Sequence, residues 1–194
     1  MKKLFVKFVP IWIFTLCSVL NIFAQELKYF DFGYSSSLSD IDDVMNELKL
    51  PNTYTAQLNS VVEDSLNNAR HEEYNLYYNG IRVDYTQLML HYRNDSLLSS
   101  NGKYVDIPTA DITPTITSQQ AIDYAKNEVR AIMYLWEDSA SMAFLQQYLG
   151  INNFYPTPEL ILFPINDSVL KIGYKMEIVA TNPSSEDLFI VDAK

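Results

Sequence analysis

Two histidines are the residues of this chain best suited to chemistry, and the first of them begins the pattern of a zinc-binding helix. The pattern is His71-Glu72-Glu73-Tyr74-Asn75. Such a helix needs a second histidine four residues after the first, so that both imidazoles share one face. Asn75 stands at that position, and the segment alternates like a strand. His71 and His91 could in principle hold a metal with carboxylates, but surface strand residues or hydrogen-bonded fillers are the favoured interpretation.

The rest of the sequence lacks the common catalytic patterns. It contains no Gly-x-Ser-x-Gly and no phosphate loop, and its one cysteine, Cys17, lies near the N-terminus. Asp40, Asp42 and Asp43 alternate like a calcium loop, but the glycine and the closing glutamate are missing, so helix capping explains them better. Asn94 and Asn166 begin glycosylation sequons in plain turns. We predict no catalytic residue, no cofactor-binding residue and no metal ligand in this chain.

Residues 1–24 have the layout of a secretory signal peptide. Three lysines precede an apolar run that reaches Phe23, and Ala24 offers a small residue for cleavage. An uncleaved membrane anchor is the alternative, but the clean apolar core is about 10 residues long, against the ~20 that a membrane span needs, so removal is favoured. Cys17 lies inside this segment. We expect an exported chain, located in the periplasm, outside the cell or at its surface, without cysteine and therefore without disulfides.

Removal of this segment makes the chain more acidic. The whole sequence has a net charge of −10, and loss of three lysines leaves 11 basic and 24 acidic residues, a net charge of −13. Nucleic acids and anionic membranes are therefore poor candidates for the main partner, because both carry negative charge. The charge suits a solvated secreted protein, or one that faces a basic partner surface.

The first half of the remaining chain predicts a helix followed by a meander of strands. Apolar residues recur at helical spacing from Leu38 to Leu48, and Pro51 ends the helix. Asn79-Gly80 is a strong hairpin signal. Turns are also predicted at Asn94-Asp95-Ser96 and Asn101-Gly102. The stretch 55–66 is ambiguous, because its apolar residues fit one helical face and its valines could also begin a strand.

The second half repeats this order. A linker is predicted at 106–116, then a helix capped by Thr117 or Ser118 and a shorter helix that ends at Gly150. Three strand-like runs follow, at Glu159–Pro164, Val169–Ala180 and Asp187–Ala193. We therefore predict an α+β fold with two tandem small units, each a helix packed on a curled antiparallel sheet.

Short motifs around Asn79-Gly80 give the first half a family resemblance. His71-Glu-Glu-Tyr-Asn75, followed by Tyr78-Asn79-Gly80-Ile81-x-Val83, resembles the core of the FTP (fungalysin/thermolysin propeptide) domain. This chain departs from the family pattern in three places: Asn75 replaces a glutamine, Arg82 replaces a proline, and Asp84-Tyr85 stands where a glycine is common. The resemblance implies an FTP-like domain at 25–105, in which Leu58–Asp64 is a strand.

The second half resembles a PepSY domain. The matching motifs are Pro114-x-Ile116-Thr117 with Ala121-Ile122, then Leu160-x-Leu162-Phe163-Pro164, Ile172-x-Tyr174-x-Met176-x-Ile178 and Phe189-x-Val191-Asp192-Ala193. The family usually continues with Thr-Gly-Glu, so the resemblance implies a PepSY-like domain at 117–194 that is truncated at its C-terminal edge.

Together the two resemblances imply a role. An FTP-like domain followed by a PepSY-like domain is similar to the prosegment of secreted thermolysin-type zinc metalloendopeptidases. That prosegment assists folding of the catalytic domain and inhibits it. The partner would be that catalytic domain, in cis or in trans, and zinc and calcium would be bound only there. The alternatives are a free-standing inhibitor or chaperone that acts in trans, and a cell-surface binding module. No nucleic-acid partner and no stable membrane insertion after signal removal are expected.

Overall fold

The computed structural model describes residues 28–33, 37–105, 111–166 and 169–194. The predicted signal segment and part of the predicted linker, residues 106–110, lie outside these ranges. Up to residue 105 the described elements are strand β1 (Lys28–Phe32), helix α1 (Ile41–Glu47) and strands β2 (Tyr54–Asp64), β3 (Ala69–Tyr78), β4 (Ile81–Val83), β5 (Gln87–Arg93) and β6 (Ser96–Tyr104).

The second half contains two further helices and four strands. They are helix α2 (Ser118–Val129), strand β7 (Met133–Tyr134), a 3₁₀ turn (Leu135–Glu137), helix α3 (Ser139–Leu149) and strands β8 (Glu159–Asn166), β9 (Val169–Asn182) and β10 (Ser184–Asp192). None of the helices that can be described is long and apolar enough to cross a membrane.

The predicted fold class is wrong. The described strands form one ten-stranded sheet in the order β1-β6-β5-β3-β4-β8-β9-β10, with β2 paired to β3 and β7 to β9, and not two tandem helix-on-sheet units. The link is a parallel pairing of β4 with β8, in which Arg82 lies opposite Ile161 and Val83 opposite Leu162. Periodicity shows that a segment alternates but not which distant segment pairs with it, so the sequence could not reveal this link.

Two compact units can be distinguished within the chain. One contains the described residues up to Asp111 together with Ile161–Lys171, and the other contains Ile112–Leu160 and Ile172–Lys194. Residues 161–171 thus group with the first half, although the sequence resemblance assigns them to the second.

Helix α1 covers the apolar side of the sheet in the first unit. Asp40 caps the helix, because its side chain accepts a hydrogen bond from the Asp43 backbone N–H. The fully buried Val44 packs with Leu90, Tyr92 and Leu97. The helix predicted from Leu38 to Leu48 is therefore confirmed, with a start at Ile41.

The turns of the first unit follow two of the three predictions. Asn79 and Gly80 have φ values of 48° and 81° and join β3 to β4, as the hairpin signal requires. Asn94 and Asp95 join β5 to β6 in the same way. The turn predicted at Asn101-Gly102 is wrong, since both residues lie inside β6. A side chain at Gly102 would collide with the Gln87 carbonyl oxygen, so this glycine serves close strand packing.

The second unit is organised by α2. Thr117 caps this helix and forms a reciprocal capping box with Gln120, as predicted for a cap at Thr117 or Ser118. Ala121, Ile122 and Ala125 are its buried residues. The three predicted strand runs are confirmed as β8, β9 and β10, and in β9 the alternating residues Ile172, Tyr174, Met176 and Ile178 are buried.

Candidate functional site

The two histidines of the chain are direct cross-strand partners in the first unit. His71 on β3 lies opposite His91 on β5, with the Nδ1 atoms 2.7 Å apart and the ring centroids separated by 4.9 Å. Asn101 on β6 lies on the other side of His91, with its Nδ2 atom 2.9 Å from His91 Nε2. The strands β3, β5 and β6 thus line up three polar side chains across the sheet.

The direction of the hydrogen bond between the two histidines follows from the orientation of the Asn101 amide. With the Asn101 amide nitrogen as donor, His91 Nε2 is the acceptor and its proton sits on Nδ1. His91 Nδ1 then donates to His71 Nδ1, which leaves the proton of His71 on Nε2. In this arrangement one hydrogen lies between the two Nδ1 atoms.

Burial and mutual repulsion oppose the charged form of His91. Desolvation is the main cause that lowers the pKa of His91, and the neighbouring His71 lowers it further, whereas the Asp31 carboxylate on β1 acts in the opposite direction. His91 therefore stays neutral under conditions in which an isolated histidine begins to take up a proton.

The surroundings of the pair form a polar side of the sheet. Residues directly opposite each other on neighbouring strands share a face, and the row next to the histidines contains Asp31, Asn101, Met89, Glu73 and Ser60. Glu73 is held there by Asn59 Nδ2 at 2.8 Å and Ser60 Oγ at 3.2 Å. We call this side of the first unit, opposite α1, the polar face.

The residues of the zinc-like pattern are dispersed by the strand. His71 and Asn75 project onto the polar face, whereas Glu72 projects to the side of α1 and accepts a hydrogen bond from Tyr74 Oη at 2.8 Å. Arg70 Nε lies 3.0 Å from a Glu72 carboxylate oxygen, an ion pair without hydrogen-bond alignment. Within the described ranges no three His, Cys, Asp or Glu side chains are grouped closely enough to hold a metal ion.

The acidic cluster near the start of α1 serves as a helix cap. Asp43 accepts hydrogen bonds from the Ser39 backbone N–H at 2.8 Å and from Ser39 Oγ at 2.6 Å, and these bonds lower the pKa of Asp43. The interpretation as capping residues is therefore confirmed for Asp40 and Asp43, while Asp42 lies in the first turn of the helix. The sequon residue Asn94 lies in the β5–β6 turn, and Asn166 ends β8.

An open strand edge adjoins the polar face. Strand β2 pairs with β3, and no other described strand pairs with it. Most of its side chains are exposed on both faces of the strand, including Val61 and Val62. A bulge between Leu58 and Ser60 divides the strand into two segments. We call the second segment, Ser60–Asp64, the β2 edge.

The second unit has an apolar cleft beside α3. The cleft has a volume of about 530 Å³ and is lined by Leu135, Ala140, Ser141, Phe144, Leu145 and Phe154. Helix α3 has no buried residue, and Phe144, Tyr148 and Leu149 are largely exposed. Exposed apolar clusters of this kind are typical of protein-binding surfaces.

Sequence reasoning missed the pairing of the two histidines because of the strand register. In the β3–β4 hairpin Tyr78 lies opposite Ile81, and extending that register would place Leu88 opposite His71. The residues between β4 and β5 shift the register by three, so that His91 lies opposite His71 instead. A local signal was present, since the apolar alternation runs through odd positions up to Tyr85 and through even positions from Leu88 onward.

Comparison with known proteins adds no assignment. No protein-family model matches the chain, and no curated protein is similar to it. A functional proposal for this chain therefore depends on its own residues and on the short motifs described above.

Proposed function

We propose that this chain is the prosegment of a secreted thermolysin-type zinc metalloendopeptidase, and that it assists folding of the catalytic domain and inhibits it. The chain contributes binding and no catalytic group. Zinc and calcium belong to the catalytic domain, where the peptide hydrolysis takes place.

The observation that carries this proposal is the backbone at Tyr85. This residue has a φ of 63°, a left-handed conformation that glycine adopts far more readily than tyrosine. The resembled FTP pattern commonly has a glycine at Asp84-Tyr85. Tyr85 thus adopts the left-handed conformation that would favour a glycine at this position.

The neighbouring residues support the same comparison. The Tyr78-Asn79-Gly80-Ile81 motif forms the β3–β4 turn, and Val83 in β4 is buried. Where the family pattern has a proline, Arg82 Nη1 donates a 2.7 Å hydrogen bond to the buried Asp84 carboxylate. Two of the three departures from the pattern therefore form one ion pair beside the turn.

Both parts of the proposed role follow from a single binding equilibrium. A segment that binds the native-like catalytic domain but not its unfolded chain stabilises the folded form by mass action. If the same contacts cover the substrate cleft, the bound enzyme is inactive. The net charge of −10 favours a partner with a basic surface, because charge complementarity accelerates encounter.

The proposal is tested with purified chain and a thermolysin-type protease. We expect the chain to slow peptide cleavage in proportion to its concentration, and to raise the yield of active enzyme when the denatured catalytic domain is refolded with it. A serine protease of unrelated fold is the control and should be unaffected. Absence of both effects on several thermolysin-type enzymes would overturn the proposal and would favour a cell-surface binding module.

A second arrangement differs only in connectivity. If the chain acts in trans as a free-standing inhibitor or chaperone, co-expression as a separate polypeptide should rescue folding of a catalytic domain as well as a covalent fusion does. If it acts in cis, the fusion should be much more effective, because linkage raises the effective concentration of the prosegment.

A further inference from the structure

We propose that the β2 edge, Ser60–Asp64, is a binding site for an extended, positively charged polypeptide segment, which adds to the sheet as a further strand beside β2. This inference goes beyond the prosegment proposal, since it follows from the edge itself and holds for any partner that offers such a segment.

The backbone of the edge provides the first argument. Strand β2 forms one ladder, with β3, and no described strand occupies its other side. In a β-strand alternate residues direct their N–H and C=O groups to opposite sides, so an edge strand presents a row of unused donors and acceptors. An extended peptide is the ligand that matches this row with main-chain hydrogen bonds.

The residues of the edge do not protect it from pairing with a basic strand. Natural sheets blunt open edges with lysine, proline, very short strands or bulges. The segment Ser60–Asp64 contains neither lysine nor proline, and the strand to which it belongs is 11 residues long. Its one irregularity, the bulge between Leu58 and Ser60, lies just outside the segment. The bulge therefore limits the added strand to the segment that follows it.

Two exposed valines place apolar surface on both faces of the edge. Val61 lies opposite Glu72 and Val62 opposite His71, so the two side chains project to opposite sides of the sheet. They are 43% and 61% exposed. An added strand would cover part of each valine with its own alternating side chains, and burial of that apolar surface would favour binding.

The charge of the hairpin selects a basic segment. Residues 54–78 contain four acidic residues and one arginine. The guanidinium group of that arginine, Arg70, lies 4.4 Å from the Tyr92 ring centroid and pairs with Glu72. Glu63 and Asp64 end the edge, and hydrogen bonds from Asn67 lower the pKa of Asp64, which keeps its carboxyl group ionised.

The same charges disfavour a second copy of this chain as the occupant. If two β2 edges paired antiparallel about Val62, each Glu63 would lie diagonally beside the Glu63 of the other copy on the same face. Diagonal neighbours are within reach of long side chains, so the two carboxylates would repel each other. A lysine- or arginine-bearing segment would instead find a carboxylate at these positions.

The test measures binding of a fluorescein-labelled Lys-Val-Thr-Val-Lys-Val peptide to the full chain by fluorescence anisotropy. We expect saturable binding that weakens as salt is added. Methylation of alternate backbone nitrogens in the peptide should weaken binding about tenfold or more, since each lost ladder bond contributes roughly 1 kcal/mol. A matched peptide with glutamate in place of lysine should also bind more weakly.

Two matched variants locate the site on the protein. Val62→Lys places a positive charge on the ladder, and Leu66→Lys places the same charge in the β2–β3 turn, where Leu66 is 94% exposed. We expect Val62→Lys to weaken binding about tenfold, and Leu66→Lys to change it less than about twofold, because an isolated exposed charge contributes little. Circular dichroism checks the fold of both, and Glu63→Gln provides a milder variant that should reduce the salt dependence.

Three results would overturn the proposal. One is equal binding of the methylated and unmethylated peptides, and another is equal weakening by Val62→Lys and Leu66→Lys. The third is a concentration-dependent dimer in light scattering that Val62→Lys dissociates, because the occupant would then be a second copy. Failure of protease inhibition together with intact peptide binding would reject the prosegment role and leave this site standing.

Discussion

Strands β2 and β5 both pair with β3, yet they differ sharply in burial. Along β5 the residues alternate, with Leu88, Leu90 and Tyr92 buried and the residues between them partly exposed. Along β2 only Tyr54 is buried. The difference comes from neighbours, because β5 also pairs with β6 and is covered by α1. In the described part of the chain, β2 has one ladder and contributes no residue to the core cluster under α1. The two strands that flank β3 therefore differ in role: β5 contributes to the core, and β2 leaves its side chains accessible to solvent.

The largest expected change in the free energy of unfolding comes from a truncation in β5. Leu90 is fully buried against Val44 and Tyr92, so Leu90→Ala should lower the free energy of unfolding by about 2–5 kcal/mol, through lost burial and the cavity left behind. Val62→Ala on β2 is the matched truncation and should change it by no more than about 0.5 kcal/mol. Urea denaturation monitored by tyrosine fluorescence measures both, and similar losses in the two variants would contradict the assigned roles.

A smaller effect is expected at the one buried residue of β2. Tyr54 Oη donates a 2.6 Å hydrogen bond to the Val105 carbonyl oxygen, and its ring packs edge-on against Tyr78. Tyr54→Phe keeps the ring and leaves the buried carbonyl without this donor, which should lower the free energy of unfolding by about 1–2 kcal/mol. Tyr77→Phe, on the neighbouring strand, is the control variant. Thermal unfolding of the two proteins gives the comparison. An unchanged free energy of unfolding for Tyr54→Phe would show that this hydrogen bond does not stabilise β2.

The smallest effect concerns the histidine pair between β3 and β5. Because the folded state lowers the pKa of His91 below its ordinary 6.5, the folded protein binds fewer protons than the unfolded chain as the pH falls through that value. The free energy of unfolding should therefore be highest above this range and should decrease as the pH is lowered through it.

This pH dependence is measured by urea denaturation at constant ionic strength between about pH 8 and about pH 5. His91→Gln removes the titrating ring and should flatten the curve in this range, while the carboxylates that titrate lower down remain in both proteins. The expected pH dependence reflects the pKa of His91, which the facing His71 lowers and the facing Asp31 raises. Identical slopes for the wild type and the variant would exclude the pair as the cause.

Local features of this fold could be predicted from the sequence because their causes are local. Thr117 and Asp40 accept hydrogen bonds from backbone groups three residues ahead, and Asn79-Gly80 takes the positive φ values for which it is suited. The stretch 55–66 shows where periodicity fails. Its apolar residues fit a helical face, but pairing with β3 makes Tyr54–Asp64 a strand, as the FTP resemblance implied.

Pairing between distant segments could not be predicted in the same way. The β3–β5 register depends on the three residues after β4, where Thr86 Oγ1 donates to the Val83 carbonyl at 2.6 Å and Tyr85 takes its left-handed conformation. A register shift by an odd number of residues changes which face of β5 lies beside His71. For that reason the contact between the two histidines could not be predicted from the sequence, although both residues were its most evident chemical groups.

The parallel pairing of β4 with β8 also has a consequence for the order of events during synthesis. The Asp84 backbone N–H donates to the Leu162 carbonyl oxygen at 2.7 Å. One edge of β4 therefore pairs with a strand that lies about 80 residues later in the chain. Closing so long a loop is slow relative to forming a hairpin. As the chain emerges in sequence, β4 can pair with β3 at once, but its other edge stays open until β8 appears.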